Sequence, residues 1–296
     1  MNFGRVITAM VTPFDEQGSI DLQALRDLIT HLIDHGSDAI VVGGTTGEAP
    51  TLSHEEKAAL FKNTVDFVQG RVPVIAGTGT NSTYAAVELT QLAEQAGVDA
   101  VMLSTPYYNK PNQEGMFQHF RAAAEATSLP VMLYNVPGRT GVHLDASTTI
   151  RLAEEINNIV SIKDASGNLD HMTAVISGTP DHFTLYSGDD SLTLPALAVG
   201  ADGIVSVTSH VAGEEMQAMV TAYADGQPAL AAKMHQELVP LMDAMFSAPS
   251  PAPVKAALEM LEIRAGSVRL PMMPLDEAES QLVFSQLRHK LYSSAV

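Results

Sequence analysis

Short runs of β-branched and apolar residues recur along the chain, and between them the apolar positions fall at helical spacing. The runs are VITAMVTPF (6–14), AIVVGG (39–44), VPVIAGT (72–78), AVMLST (100–105), PVMLYN (130–135), IVSIKDAS (159–166), FTLYSGD (183–189) and GIVSVTS (203–209). They are hydrophobic nearly throughout, the pattern of strands covered on both faces in a parallel sheet. Amphipathic stretches such as LQALRDLITHLIDHG, EEKAALFKNTVDFVQG and YAAVELTQLAEQAG lie between them. Gly70 and Gly97 predict the C-termini of the last two helices, and Ser53 and Asp145 stand where N-caps belong. Eight strands alternating with helices over about 225 residues predict an α/β fold, a closed (β/α)8 TIM barrel. An open doubly wound sheet is the competing architecture. It is weakened because no full GxGxxG follows the first strand, AGTGTN at 76–81 being only a fragment.

After residue 225 the strand pattern stops. PALAAKMHQELVPLMDAMF, APVKAALEMLEI and DEAESQLVFSQLRHKLY are helical in period and are separated by the breaks SAPSPAP and LPMMPL. The predicted organisation is a catalytic barrel over 1–225 and a C-terminal helical extension over 226–296.

Composition narrows the function classes. The chain has 296 residues, 46% hydrophobic and 17% charged, ordinary for a soluble globular protein. It contains no cysteine, which excludes disulfides, thiolate metal sites and a cysteine nucleophile, and is compatible with a cytoplasmic location. The start, MNFGRVITAMVTPF, lacks a signal-peptide layout and reads as a first strand. No apolar run approaches the roughly 20 residues that cross a bilayer. The net charge of −18 disfavours nucleic acid and anionic membranes as partners, and serves solubility.

In a barrel of this kind the active site lies beyond the C-terminal ends of the strands. Those ends carry GGTTGE, STPYYNKP, YNVPGRT, KDAS and SGDD. Of seven lysines only Lys163 belongs to a barrel strand; Lys255 sits in an amphipathic helix and the others in polar or helical surface contexts. Lys163 either pairs with the adjacent Asp164 or is a nucleophile. Neighbouring strand residues point to opposite faces, so the pairing is geometrically poor. A partly desolvated lysine has a lowered pKa and can form a Schiff base with a carbonyl. Tyr134, ending the neighbouring strand, either caps the core or transfers protons beside Lys163. GGTTGE is either a plain turn or a cradle whose N–H groups and threonine hydroxyls receive a carboxylate. Arg139, one of nine arginines, is either a solvated loop charge or the fork for a second carboxylate. His31 and His35 share a helical face, but HLIDH lacks the glutamate of a zinc-protease helix and a third ligand. Asp189 and Asp190 are better placed to cap the next helix than to act as paired acids.

GGTTGE, PYYNKP, YNVPGRT, SIKDASG and YSGDD, in this order and spacing, resemble the 4-hydroxy-tetrahydrodipicolinate (dihydrodipicolinate) synthase family, within the N-acetylneuraminate lyase superfamily of Schiff-base-forming class I aldolases. The resemblance spans essentially the whole chain. It implies condensation of pyruvate with L-aspartate-4-semialdehyde, with Lys163 forming the imine. Tyr134 would relay protons in a triad with Thr45 and with Tyr108 supplied by a second subunit. Thr46 would hold the pyruvate carboxylate and Arg139 that of the semialdehyde. Gly188 and Val205 would supply backbone contacts. No metal or organic cofactor is implied. A homo-oligomer is, with a tetramer of two tight dimers favoured over a dimer. Lys163 and Tyr134 mark the superfamily's chemistry, while Arg139 and the second threonine favour the synthase over N-acetylneuraminate lyase or a 2-keto-3-deoxy sugar acid aldolase. A barrel kept only as a binding protein is the reading of a different class.

Many relatives are inhibited by lysine at a subunit-interface pocket. His54, Asn81 and Tyr107 match that pocket, whereas Ala49, Pro50, Lys57 and Ala85 do not. Ala85 removes a carboxylate and Lys57 adds a like charge, so the sequence predicts weak or absent lysine inhibition.

Overall fold

The computed structural model describes residues 3–293. Its eight strands are β1 (Val6–Ala9), β2 (Ala39–Val42), β3 (Val74–Gly77), β4 (Ala100–Ser104), β5 (Val131–Asn135), β6 (Ile159–Asp164), β7 (Thr184–Ser187) and β8 (Gly203–Ser206). They pair in sequence order, all parallel, and β8 returns to β1 to close the barrel. The helices are α1 (Leu22–Asp34), α2 (His54–Val68), α3 (Thr83–Ala96), α4 (Gln113–Ala124), the short α5 (Pro137–Thr140), α6 (Ala146–Glu155), α7 (Leu169–Gly178), α8 (Thr193–Ala198) and α9 (Ser209–Ala224). Three more follow: α10 (Pro228–Ala244), α11 (Ala252–Met260) and α12 (Glu277–Ser293). The TIM barrel and its helical C-terminal part are therefore as the hydrophobic pattern predicts. Each strand is shorter than its run: most lose their last residues to the loop that follows, whereas β5 keeps Asn135 and loses only Pro130 at its start.

Two apolar cores explain why the strands are hydrophobic on both faces. Ile7, Ala9, Val41, Ile75, Met102, Met132, Tyr186 and Val205 fill the barrel interior. Val6, Ile40, Val74, Leu103, Leu133, Ile162 and Leu185 point outward, under the helices. Ser53 caps α2 with a full capping box, its hydroxyl accepting from Glu56 N–H while Glu56 accepts from Ser53 N–H. Gly97 closes α3 in the left-handed region as expected. One expectation needs correction, and another holds in position but not in bonding. The left-handed cap of α2 is Gln69 rather than Gly70. Asp145 stands at the N-cap of α6 without a capping hydrogen bond. Among the described residues no helix is long and apolar enough to cross a membrane.

Two buried histidines couple this fold to pH. His210 accepts from the Val11 N–H at Nε2 (3.1 Å) and donates from Nδ1 to the Val207 carbonyl (2.7 Å), joining the loops after β1 and β8. A proton on Nε2 would face a donor, and burial holds the pKa down at about 4. His119 is likewise lowered to about 4 by burial. Both are neutral in the fold, while in the unfolded chain they protonate below about 6.5. Their contribution is complete above that value and is lost as pH falls towards 4. Urea unfolding should show a loss of roughly 2 kcal/mol per histidine between pH 7 and pH 5. His119→Gln should remove its share of that loss, and an unchanged pH dependence would contradict this account.

Candidate active site

Parallel register sets the site. Tyr134 on β5, Lys163 on β6 and Tyr186 on β7 stand level across three neighbouring strands. Tyr134 and Tyr186 belong to the interior cluster, and the Lys163 Nζ lies 4.3 Å from the centroid of the Tyr134 ring. Lys163 is only 5% exposed, and among the described residues no carboxylate pairs with it.

The pairing of Lys163 with Asp164 does not occur. Asp164 points to the opposite face, as strand alternation requires. There its carboxylate accepts from Asn135 Nδ2 (2.8 Å), from Ser166 N–H (3.0 Å) and from the Ser166 hydroxyl, and faces His171 Nε2 at 3.2 Å. Burial works against its charge, but the hydrogen bonds from His171, Ser166 and Asn135 outweigh burial and hold its pKa below the ordinary value. Asn135 Oδ1 also accepts from Leu144 N–H (3.0 Å). Asp164 thus ties the loop that carries Arg139 to the strand that carries Lys163.

Gly188 follows β7 and makes room for the lysine. A β-carbon there would lie 3.0 Å from Lys163 Cε and 2.8 Å from the Ala165 Cβ. Its N–H donates to the Asp164 carbonyl (2.7 Å), which fixes this close approach.

Residues 43–48 turn sharply after β2. The Glu48 N–H returns to the Thr45 carbonyl (3.0 Å), and Thr12 Oγ1 holds the Gly47 carbonyl (2.7 Å). Among the described residues no acceptor takes the N–H or the hydroxyl of Thr45 or Thr46. Two N–H groups and two hydroxyls are thus without an acceptor within the described protein. Arg139, on α5, is exposed and forms no ion pair among the described residues.

A cavity of about 630 Å3 brings Lys163, Tyr134, Thr45, Thr46, Arg139 and Gly188 together. It adjoins a smaller one of about 300 Å3, which shares Thr45, Tyr134 and Arg139 and extends past Ala49, Pro50, Lys57 and Tyr107. Tyr134 and Thr45 face the same space, and no hydrogen bond joins them. Two expected residues lie outside both linings. Val205 is buried in the barrel interior, and Tyr108, in the left-handed region at φ 72°, is 88% exposed.

Several lining residues carry no signal in the sequence. Val207 and Ser191 come from the loops after β8 and β7, and Met242, Phe246 and Ser250 from the C-terminal extension. Asp190 behaves unlike a helix cap. It is fully buried and accepts from Val207 N–H, Thr208 N–H and Thr208 Oγ1, at 2.9–3.0 Å, fixing the loop after β8. Asp189 takes the capping role, towards Ser191 N–H. His31 and His35 stack on each other and bond to the His210 and His31 carbonyls, an ordinary structural use of both rings.

A model of the dihydrodipicolinate synthetase family matches residues 2–290. A 4-hydroxy-tetrahydrodipicolinate synthase of Bacillus subtilis is 61% identical over 279 residues, 94% of this chain and 96% of the relative. The crystal structure of a dihydrodipicolinate synthase from Bacillus anthracis superposes with a TM-score of 0.96 at 58% identity, covering 97% of this chain and 98% of that one. A synthase from Cyanidioschyzon merolae, solved with lysine bound, gives a TM-score of 0.95 at 45% identity over 97% of each chain.

Proposed function

This chain belongs to the dihydrodipicolinate synthetase family, and from that premise we propose that Lys163 carries its 4-hydroxy-tetrahydrodipicolinate synthase activity. The substrates are pyruvate and L-aspartate-4-semialdehyde. The Lys163 amine adds to the keto carbon of pyruvate, and loss of water leaves an imine. Loss of a proton from the methyl carbon gives the enamine, whose carbon attacks the aldehyde and leaves a hydroxyl. The amine of the second substrate then adds to the imine carbon, closes the ring and expels Lys163 as a free amine. One water leaves in the whole sequence, and no oxidant or reductant is consumed.

The observation that carries this reading is a buried amine without an anionic partner, at the level of Tyr134, facing the cavity that Thr45, Thr46 and Arg139 also line. Two anionic substrates need two carboxylate sites. The free donors of Thr45 and Thr46 suit pyruvate, and the Arg139 fork suits the semialdehyde. Tyr134 moves protons to and from the reacting oxygen and nitrogen. Gly188 supplies a backbone contact at the cavity wall, and Val205, outside the lining, is assigned a backbone contact on the family resemblance alone. Tyr108, exposed on its own subunit, completes the relay across an interface in a tetramer of two dimers, acting in the cytoplasm.

The test is a coupled assay. Pyruvate consumption should depend on aspartate-semialdehyde. Turnover with an N-acetylated amino sugar or a sugar-acid aldehyde, and none with the semialdehyde, would point to a lyase or aldolase instead.

Lysine should be a poor inhibitor. Lys57, Ala49, Pro50 and Tyr107 line the smaller cavity, and no carboxylate pairs with Lys57 among the described residues. Burial lowers the Lys57 pKa, the mark of a cation already short of solvation. A second ammonium there meets a like charge and no counter-ion. Initial rates should be unaffected by lysine up to about 1 mM, and half-inhibition below that, some 4 kcal/mol of binding, would contradict the expectation.

A further inference from the structure

We propose that the C-terminal extension sets the shape of the pyruvate carboxylate loop through the buried pair Glu48–Lys255, both acting as positioning residues. The inference rests on assigning residues 43–48 to the pyruvate carboxylate.

Glu48 ends that loop at φ 56°, a conformation disfavoured for any residue with a β-carbon and kept only where the surroundings hold it. The surroundings are specific. One carboxylate oxygen lies 2.8 Å from Lys255 Nζ on α11, and the other accepts the Arg269 N–H at 2.8 Å. Both side chains of the pair are buried, Lys255 at 2% and Glu48 at 3% exposure. Main-chain bonds pass the constraint on. The Glu48 N–H closes the turn onto the Thr45 carbonyl, and its carbonyl accepts from Thr51 N–H (2.9 Å) and Thr51 Oγ1 (3.0 Å).

The pair sits in a wider junction. Lys255 Nζ also donates to the Ser267 carbonyl (2.8 Å) and lies 4.3 Å from the Phe14 ring centroid. The Arg269 guanidinium covers the same ring at 4.3 Å, pairs with Glu56 and donates to the Gly18 and Thr51 carbonyls. Loops after β1 and β2 are thereby pinned to the extension at one place. A buried ion pair is a weak source of stability, since apolar residues of similar volume serve as well. What it supplies here is position: the ion pair with Lys255 holds one oxygen and the hydrogen bond from the Arg269 N–H orients the other, and together they fix the turn that carries Thr45 and Thr46.

The test is borohydride trapping of the full-length enzyme across a pyruvate titration, read as the adduct on Lys163. Glu48→Gln keeps the shape and loses the charge, and Lys255→Met removes the partner. Each should raise the half-saturating pyruvate concentration about tenfold, a cost of 1.4 kcal/mol, while the adduct still forms at saturation. The KM for the semialdehyde, assigned to Arg139, should stay within about twofold. Leu258→Ala is the control, a buried residue on the same helix that is absent from the Glu48 contacts. It should lower the melting temperature and keep the wild-type half-saturation. If Lys255→Met does not fold, Glu48→Gln decides. Wild-type half-saturation in the folded pair variants, or an equal shift in Leu258→Ala, would overturn the proposal. Absence of any adduct in the wild type would overturn the assignment of Lys163 and this inference with it.

Discussion

Replacing Lys163 by alanine should lower turnover at least about 10^4-fold while leaving the protein folded. The first part follows from chemistry, since no other amine is placed to take over. Lys255 is as buried but is committed to Glu48, and Lys57 lines the smaller cavity. The second part follows from energetics. Lys163 is buried without an ion-pair partner among the described residues, so the fold bears its desolvation with only the face of the Tyr134 ring in return. Losing the four-carbon stem removes packing, and losing the amine relieves that burden. The melting temperature of Lys163→Ala should therefore lie within a few degrees of wild type, unlike that of a typical large-to-small core variant, which loses about 2–5 kcal/mol. Residual activity within 100-fold of wild type would place the nucleophile elsewhere.

Tyr134→Phe should lower kcat by about 10^2–10^3-fold with little change in the KM for pyruvate. The ring is what the barrel packs, and phenylalanine keeps it beneath the Lys163 Nζ. The hydroxyl makes no hydrogen bond within the described protein. Removing it should cost under about 0.5 kcal/mol of stability. A large kinetic effect with no structural one is the signature of a proton carrier. Equal losses in kcat and stability would make Tyr134 a structural residue, and a kcat within threefold of wild type would remove it from the mechanism.

The barrel was legible because two-sided burial writes each parallel strand as a continuous apolar run, which local pattern can detect. Lys163 stood out for the same reason, being an ammonium inside such a run. GGTTGE and YNVPGRT were legible as motifs. Their geometry was not: the free donors of Thr45 and Thr46 depend on bonds that Glu48 and Thr12 make. Lys255 reads as an ordinary polar position of an amphipathic helix, and nothing local announces that α11 turns it inward onto Glu48. Asp190 reads as a cap in the sequence for a similar reason, because its partners Val207 and Thr208 lie a strand away. The reach of Met242 and Phe246 into the cavity likewise comes from how α10 docks against the barrel, which periodicity cannot specify. Tyr108, exposed on this chain, owes its assigned role to family resemblance alone.

The most direct measurement is mass mapping after incubation of the native enzyme with pyruvate and borohydride. The account predicts a single reduced adduct, on the proteolytic fragment bearing Lys163, and none in Lys163→Ala. An unmodified wild-type protein, or an adduct on Lys57 or Lys255 in place of Lys163, would contradict it.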